Sequence, residues 1–128
     1  MIFTGFHTPG KNRGQSLGYP TINLNKINTV LIENGVYAAW VTIATTRFKA
    51  ALFIGESPTF KDKDKTVELH LIGVSENEIK QYKRANLIPS KITVEIARFI
   101  RSVMKFNSRD ALITQIGEDV KQILTVLQ

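Results

Sequence analysis

The stretch from Gly10 to Asn23, G-K-N-R-G-Q-S-L-G-Y-P-T-I-N, concentrates groups that could do chemistry. Gly10, Gly14 and Gly18 recur every four residues among Lys11, Arg13 and small polar side chains, which suits neither a regular helix nor a central strand. A loop is expected, in which glycine admits φ > 0 and lets backbone N–H groups come close to a ligand. Successive N–H groups can form a concavity for an anion, and Lys11 and Arg13 would strengthen it, so phosphate is the guest this composition suits. Pro20 then fixes one dihedral, and Thr21 and Asn23 follow at spacing two. In extended backbone that spacing points both side chains to one side, where a hydroxyl and an amide oxygen suit a hard cation or the rim of a phosphate. Ordinary polar turns share this composition, and the residues alone leave both open. An overlapping G-F-H-T-P-G-K-N at 5 to 12 falls one residue short of the G-x-x-x-x-G-K-[ST] phosphate loop and is excluded. Asn12 replaces the metal-binding hydroxyl, Pro9 and Gly14 do not suit the helix that should follow, and no strand–helix–strand pattern surrounds it.

The second candidate is Glu68, a solitary carboxylate in T-V-E-L-H-L-I at 66 to 72. Alternation there puts Val67, Leu69 and Leu71 on one face and Glu68, His70 and Ile72 on the other. Glu68 is then either a solvent-facing strand residue or a general base. His70 is expected to be a hydrogen-bonded neighbour of Glu68, because no second histidine, aspartate or cysteine lies at metal-ligand spacing.

These residues need a scaffold, and the chain supplies strands first. Residues 2 to 7 read as a short strand, with His7 at a sheet edge. Residues 35 to 44 and 47 to 54 are rich in β-branched and aromatic residues and predict a hairpin turning at Thr45-Thr46. Tyr37, Trp40 and Phe53 are assigned to the core rather than to a stacked ligand. Ser75 and Glu78 match a capping box, so a short helix to about Asn86 is expected, with Ile79 and Tyr82 on its apolar face. Residues 91 to 101 alternate through Ile92, Val94 and Ile96. After Asn107-Ser108, either of which can cap, Leu112, Ile113, Ile116, Val120, Ile123, Leu124 and Leu127 recur at three and four, which closes the chain with an amphipathic helix. Strands without alternating helices argue for a small antiparallel barrel or sandwich covered by a terminal helix.

Composition bounds the function classes. The 128 residues, 43% hydrophobic and 22% charged, suffice for one globular domain. The absence of cysteine excludes disulfides and thiolate metal sites. Neither a signal peptide nor an apolar run of about 20 residues is present, so a cytoplasmic protein is expected. The net charge of +6 fits a nucleic-acid binder or a protein whose ligand carries phosphates. Arg98, Arg101 and Lys105 read on their own as a solvated face.

In sequence, G-K-N-R-G-Q-S-L-G-Y-P-T-I-N at 10 to 23 resembles the G-x-x-R-G-x-x-L-G-F-P-T-A-N motif of the riboflavin kinases (flavokinases), including the kinase half of bacterial bifunctional FAD synthetases. The resemblance continues in G-V-Y-A at 35 to 38, I-G-E-S-P-T-F at 54 to 60, V-E-L-H-L at 67 to 71 and I-R-S-V-M-K-F at 100 to 106. It implies that residues 1–128 form a single domain, mainly β. The fold would be a six-stranded antiparallel Greek-key barrel with a short helix before the last strand and a C-terminal amphipathic helix. It further implies transfer of the γ-phosphoryl group of MgATP to the 5′-hydroxyl of riboflavin, giving FMN and ADP. By the same resemblance Gly10, Lys11, Arg13, Gly14 and Gly18 would bind the nucleotide phosphates, and Thr21 and Asn23 would meet Mg²⁺ and the phosphates. Glu68 would be the base, and Arg101, Val103 and Phe106 would lie beside the flavin. Ile22 stands where the family usually has alanine, and Val103 where it commonly has an acidic residue. The implied partners are the small molecules riboflavin and ATP, with no nucleic acid and no membrane, acting on a monomer. Because Met1 immediately precedes the kinase motif, a stand-alone kinase without the adenylyltransferase half is expected. Two alternatives are a non-catalytic flavin- or nucleotide-binding module on the same barrel, motivated by Val103, and a basic barrel binding single-stranded nucleic acid, motivated by the charge.

Overall fold

Six antiparallel strands close on themselves, and apolar side chains from all of them meet inside, with the first strand contributing the partly buried Phe3. The computed structural model describes residues 1–8, 19, 21–25, 32–56, 65–84 and 91–128. In chain order the elements are β1 (Ile2–Thr8), β2 (Ile22–Asn25), β3 (Gly35–Ile43), β4 (Thr46–Gly55), β5 (Thr66–Leu71), α1 (Glu76–Arg84), β6 (Lys91–Arg101) and α2 (Arg109–Val126). The strands close as β1-β2-β5-β4-β3-β6. Strands β3, β4 and β5 are successive neighbours and β2 returns beside β5, which is the Greek-key connection expected. Closure removes free edges. His7, expected at an edge, therefore lies in a closed barrel, opposite Leu24 of β2.

Alternation decides what goes inside. Val67, Leu69 and Leu71 of β5 are buried with Ile22 and Leu24 of β2, Ile92 and Val94 of β6, and Leu52 and Ile54 of β4. Ile79 of α1 joins this cluster. The capping box that starts α1 is formed: Glu78 N–H donates to Ser75 Oγ at 3.1 Å, and Ser75 N–H donates to the Glu78 carboxylate at 3.3 Å. The expected end at Asn86 and the Tyr82 side chain lie outside the described residues. The β3–β4 turn is made by Ala44 and Thr45, one residue earlier than expected, with Ala44 at φ 54°.

Strand β3 is buried along most of its length on both faces, because α2 covers the outer one. Val36 and Ala38 form a second cluster with Ile123 and Leu127 of the C-terminal segment, flanked by Trp40, Ala51, Phe53 and Ile100. Trp40 and Phe53, assigned to the barrel core from sequence, therefore point outward. Trp40 also lies 4.0 Å beneath the Arg47 guanidinium. Tyr37 does face the core. Its hydroxyl donates to the Glu33 carbonyl, and burial first, then the charge of Glu33, raises its pKa above the ordinary 10.0. Ser108, one of the two expected caps, accepts from Ala111 N–H at 3.1 Å. No helix among the described residues is long and apolar enough to cross a membrane.

Two irregularities of β6 against β3 fall between Val36 and Tyr37 and between Ala38 and Ala39. A bulge adds an unpaired residue and flips the faces beyond it. Arg98 thus pairs with outward Ala38, and Phe99 pairs with Tyr37, edge to face at 5.3 Å. Gly35 sits where β6 comes closest: a Cβ there would lie 2.6 Å from the Arg101 carbonyl oxygen and 2.6 Å from the Phe99 ring. Its φ of 157° also disfavours other residues. Replacing Gly35 by Ala is expected to cost about 1–3 kcal/mol, read as a lower urea midpoint with an unchanged slope. An unchanged midpoint would show that the strands have room to separate.

Candidate active site

Outside the barrel, between the outer faces of β4 and β5, the segment after β6 and the first turns of α2, lies a cavity of about 270 Å³. Its sheet wall carries Thr21, Phe53, Glu68 and His70. Strand register explains this. In the ladders Asn23 of β2 lies opposite Glu68, and Glu68 lies opposite Phe53 of β4, so the three form one outward row. Directly opposed side chains stand about 5 Å apart at Cβ, close enough for two polar groups to act on one ligand. Glu68 and Thr21 line the cavity, whereas Asn23 sits beside Glu68 without lining it. His70 also lines it and meets the Tyr19 ring edge to face, with centroids 5.3 Å apart.

Thr21 Oγ1 is buried and has no hydrogen-bond partner among the described residues. A buried polar atom left unpaired costs free energy unless a ligand satisfies it. Asn23 of β2, two residues on, and Glu68 opposite it bring further side-chain oxygens to the same outward side, and oxygen donors are the chemistry that suits a hard divalent cation. The described residues hold no group of three or more His, Asp or Glu side chains that could hold a metal by themselves.

The remaining walls are mostly apolar. Val103 and Met104 are each 46% exposed, and Phe106, Leu112 and Ile116 complete that side. Arg101, Val103 and Phe106, the residues expected beside a flavin, all line this cavity. Arg101 departs from the solvated face expected of it on its own. Its side chain is 16% exposed and forms a fork with the Asp119 carboxylate, 5% exposed, at 2.8 Å. Arg98 and Lys105 are exposed as expected. Gly10, Lys11, Arg13, Gly14 and Gly18 lie outside the described residues.

Asp119 is the functional candidate that sequence reasoning missed. Its signal was present: it stands three residues after Ile116 and four before Ile123, on the apolar stripe of α2, where an acidic residue needs a partner. Gly117, on the same helix, would place a Cβ 3.4 Å from the Tyr19 hydroxyl, so α2 lies close to the residue that precedes Pro20 and Thr21.

A family model described as riboflavin kinase matches residues 1–127. The bifunctional riboflavin kinase/FMN adenylyltransferase of Haemophilus influenzae is 31% identical over 113 residues, covering 88% of this chain and 34% of that protein. The trifunctional protein RibF/MnmA of Mycoplasmoides gallisepticum is 29% identical over 131 residues, covering 98% of this chain and 19% of the relative. The chain thus spans about a third or less of the length of these curated relatives. Among solved structures, one described as a macrolide-efflux protein from Streptococcus pneumoniae superposes with a TM-score of 0.77 at 26% identity, over 94% of this chain and 37% of that one.

Because Thr21 Oγ1 is buried and without a partner among the described residues, Thr21→Val is expected to stabilise the ligand-free protein by up to about 1–3 kcal/mol. A lower melting temperature for the variant would show that the hydroxyl has a partner after all.

Proposed function

The chain belongs to the riboflavin kinase (flavokinase) family, and from that premise we propose that residues 1–128 act as one domain transferring the γ-phosphoryl group of ATP to the 5′-hydroxyl of riboflavin. The observation that carries this is the placement of Glu68 and Thr21 on one wall of a cavity whose opposite wall is apolar. Phosphoryl transfer asks a protein to bring two substrates into line and to neutralise charge on the group in flight. Here the flat apolar part of riboflavin would lie against Val103, Met104 and Phe106, and the ribityl chain would run toward the sheet wall.

Glu68 would accept the 5′-hydroxyl proton as the new O–P bond forms at the γ-phosphorus and the bond to the β-phosphate bridging oxygen breaks, so that ADP leaves with the electron pair. Thr21 and Asn23 would hold a divalent cation, Mg²⁺ in the expected case, which when bound neutralises phosphate charge. Gly10, Lys11, Arg13, Gly14 and Gly18 would contact the nucleotide phosphates. Phe53, paired across the ladder with Glu68, would keep water from the carboxylate on that side. The enzyme would work in the cytoplasm as a monomer, on small molecules alone. A binding module without turnover is the second candidate, favoured by an exposed Val103 where the family commonly carries an acidic residue.

Glu68→Gln keeps the shape of the site and removes the base. It is expected to bind riboflavin and MgATP as the parent does but to turn over about 100-fold more slowly or worse. Equal turnover in the variant would remove Glu68 from the role. Flavin binding with no FMN formed by either protein would favour the binding module.

A further inference from the structure

Among the described residues Asp119 is the one charged side chain that is buried, and the transfer outlined above does not use it. It stands where α2 changes task, between Leu112 and Ile116, which line the cavity, and Ile123, which packs on the outer face of the sheet. Its carboxylate accepts from Arg101 Nε at 2.8 and 3.0 Å, from Arg101 Nη2 at 2.8 Å and from Gln115 Nε2 at 2.9 Å. Arg101 Nη1 donates to the Ser102 carbonyl at 3.1 Å. These bonds engage Nε–H and one N–H on each terminal nitrogen. Of the five N–H groups of a guanidinium, two are therefore left without a partner among the described residues.

Stability alone does not account for the arrangement. A buried ion pair can often be replaced by packed apolar side chains with no loss, and Val36, Phe53 and Ile116 nearby would welcome them. What the fork does provide is orientation: two parallel bonds to one carboxylate fix the plane of the guanidinium. The Ser102 carbonyl holds its other edge, and the Phe106 ring lies 5.9 Å from Cζ.

We infer that Asp119 is a positioning residue acting through Arg101: it holds the guanidinium at the cavity wall so that its two remaining N–H groups meet a carbonyl oxygen of the flavin ring. The inference rests on the flavin reading of the cavity. It separates two jobs along one pocket, with the ring held through Arg101 and the reacting hydroxyl held at Glu68.

The test uses riboflavin binding, followed by quenching of flavin fluorescence, beside steady-state kinetics. Asp119→Asn keeps the side-chain shape and loosens the fork. It is expected to raise Kd and KM for riboflavin about tenfold or more, with kcat within about threefold and KM for ATP unchanged. The double variant Arg101→Met with Asp119→Leu removes the pair without stranding a charge, and is expected to melt near the parent. It should still lose riboflavin affinity about tenfold or more, which a purely structural pair would not do. Parental riboflavin affinity in the double variant, or an unchanged riboflavin KM in Asp119→Asn, overturns the inference. Should the double variant fail to fold, Arg101→Lys decides, since lysine keeps the charge and loses the fork; parental affinity there also overturns it. A parent protein that neither binds riboflavin nor forms FMN brings down the kinase proposal itself, a different outcome from a working kinase indifferent to Asp119.

Discussion

The site depends on α2 lying across the outer face of β3 and β4. A closed six-stranded barrel satisfies its own core, and its outer surface would ordinarily face water. Here part of that surface is apolar. Val36, Ala38, Ala51 and Phe53 point out of the barrel and must be covered, and Ile123 and Leu127 of the C-terminal segment cover them. Full burial of a side chain of that size is worth about 1.5–3 kcal/mol, so a few such residues suffice to dock one end of the helix. The other end does not close on the sheet. Leu112 and Ile116 stand off from it, and the gap is the cavity that holds Thr21 and Glu68.

The Arg101–Asp119 fork marks the boundary between those two halves of α2. It ties the last residue of β6 to the helix at the edge of the apolar contact, and it needs the helix in place to stay dry. Strand, helix and the segment from Ser102 to Phe106 are therefore coupled at one point. Gly35 contributes from the other side, because its missing side chain lets the Arg101 backbone approach β3. A motif glycine and a buried aspartate some 80 residues apart in sequence thus serve the same geometry.

Much of this was legible in the residues. Period-two alternation in β5 placed Glu68 outward and Val67, Leu69 and Leu71 inward, and Ser75 with Glu78 announced a capping box that forms as written. What stayed hidden has physical causes. Strand β3 is apolar on both faces because both are covered, and residues 50–54 of β4 are apolar throughout, so alternation does not reveal that Trp40 and Phe53 face outward rather than into the core. The irregularities of β6 flip Arg98 and Phe99 relative to simple alternation and restore the expected face at Arg101, which no periodicity reveals. A count of apolar positions at helical spacing skips the polar residue that shares their stripe, which hides Asp119, and its partner Arg101 belongs to a different element. Thr21, by contrast, is marked by its spacing to Asn23, but only the fold shows that its hydroxyl is buried and without a partner among the described residues.

The central claim is that this cavity phosphorylates riboflavin. Incubating the purified protein with riboflavin, ATP and MgCl₂, then separating the flavins by chromatography with fluorescence detection, tests it most directly. The account predicts a peak that co-elutes with FMN and grows with time and with enzyme. A folded protein that leaves riboflavin unchanged in the presence of MgATP would contradict it.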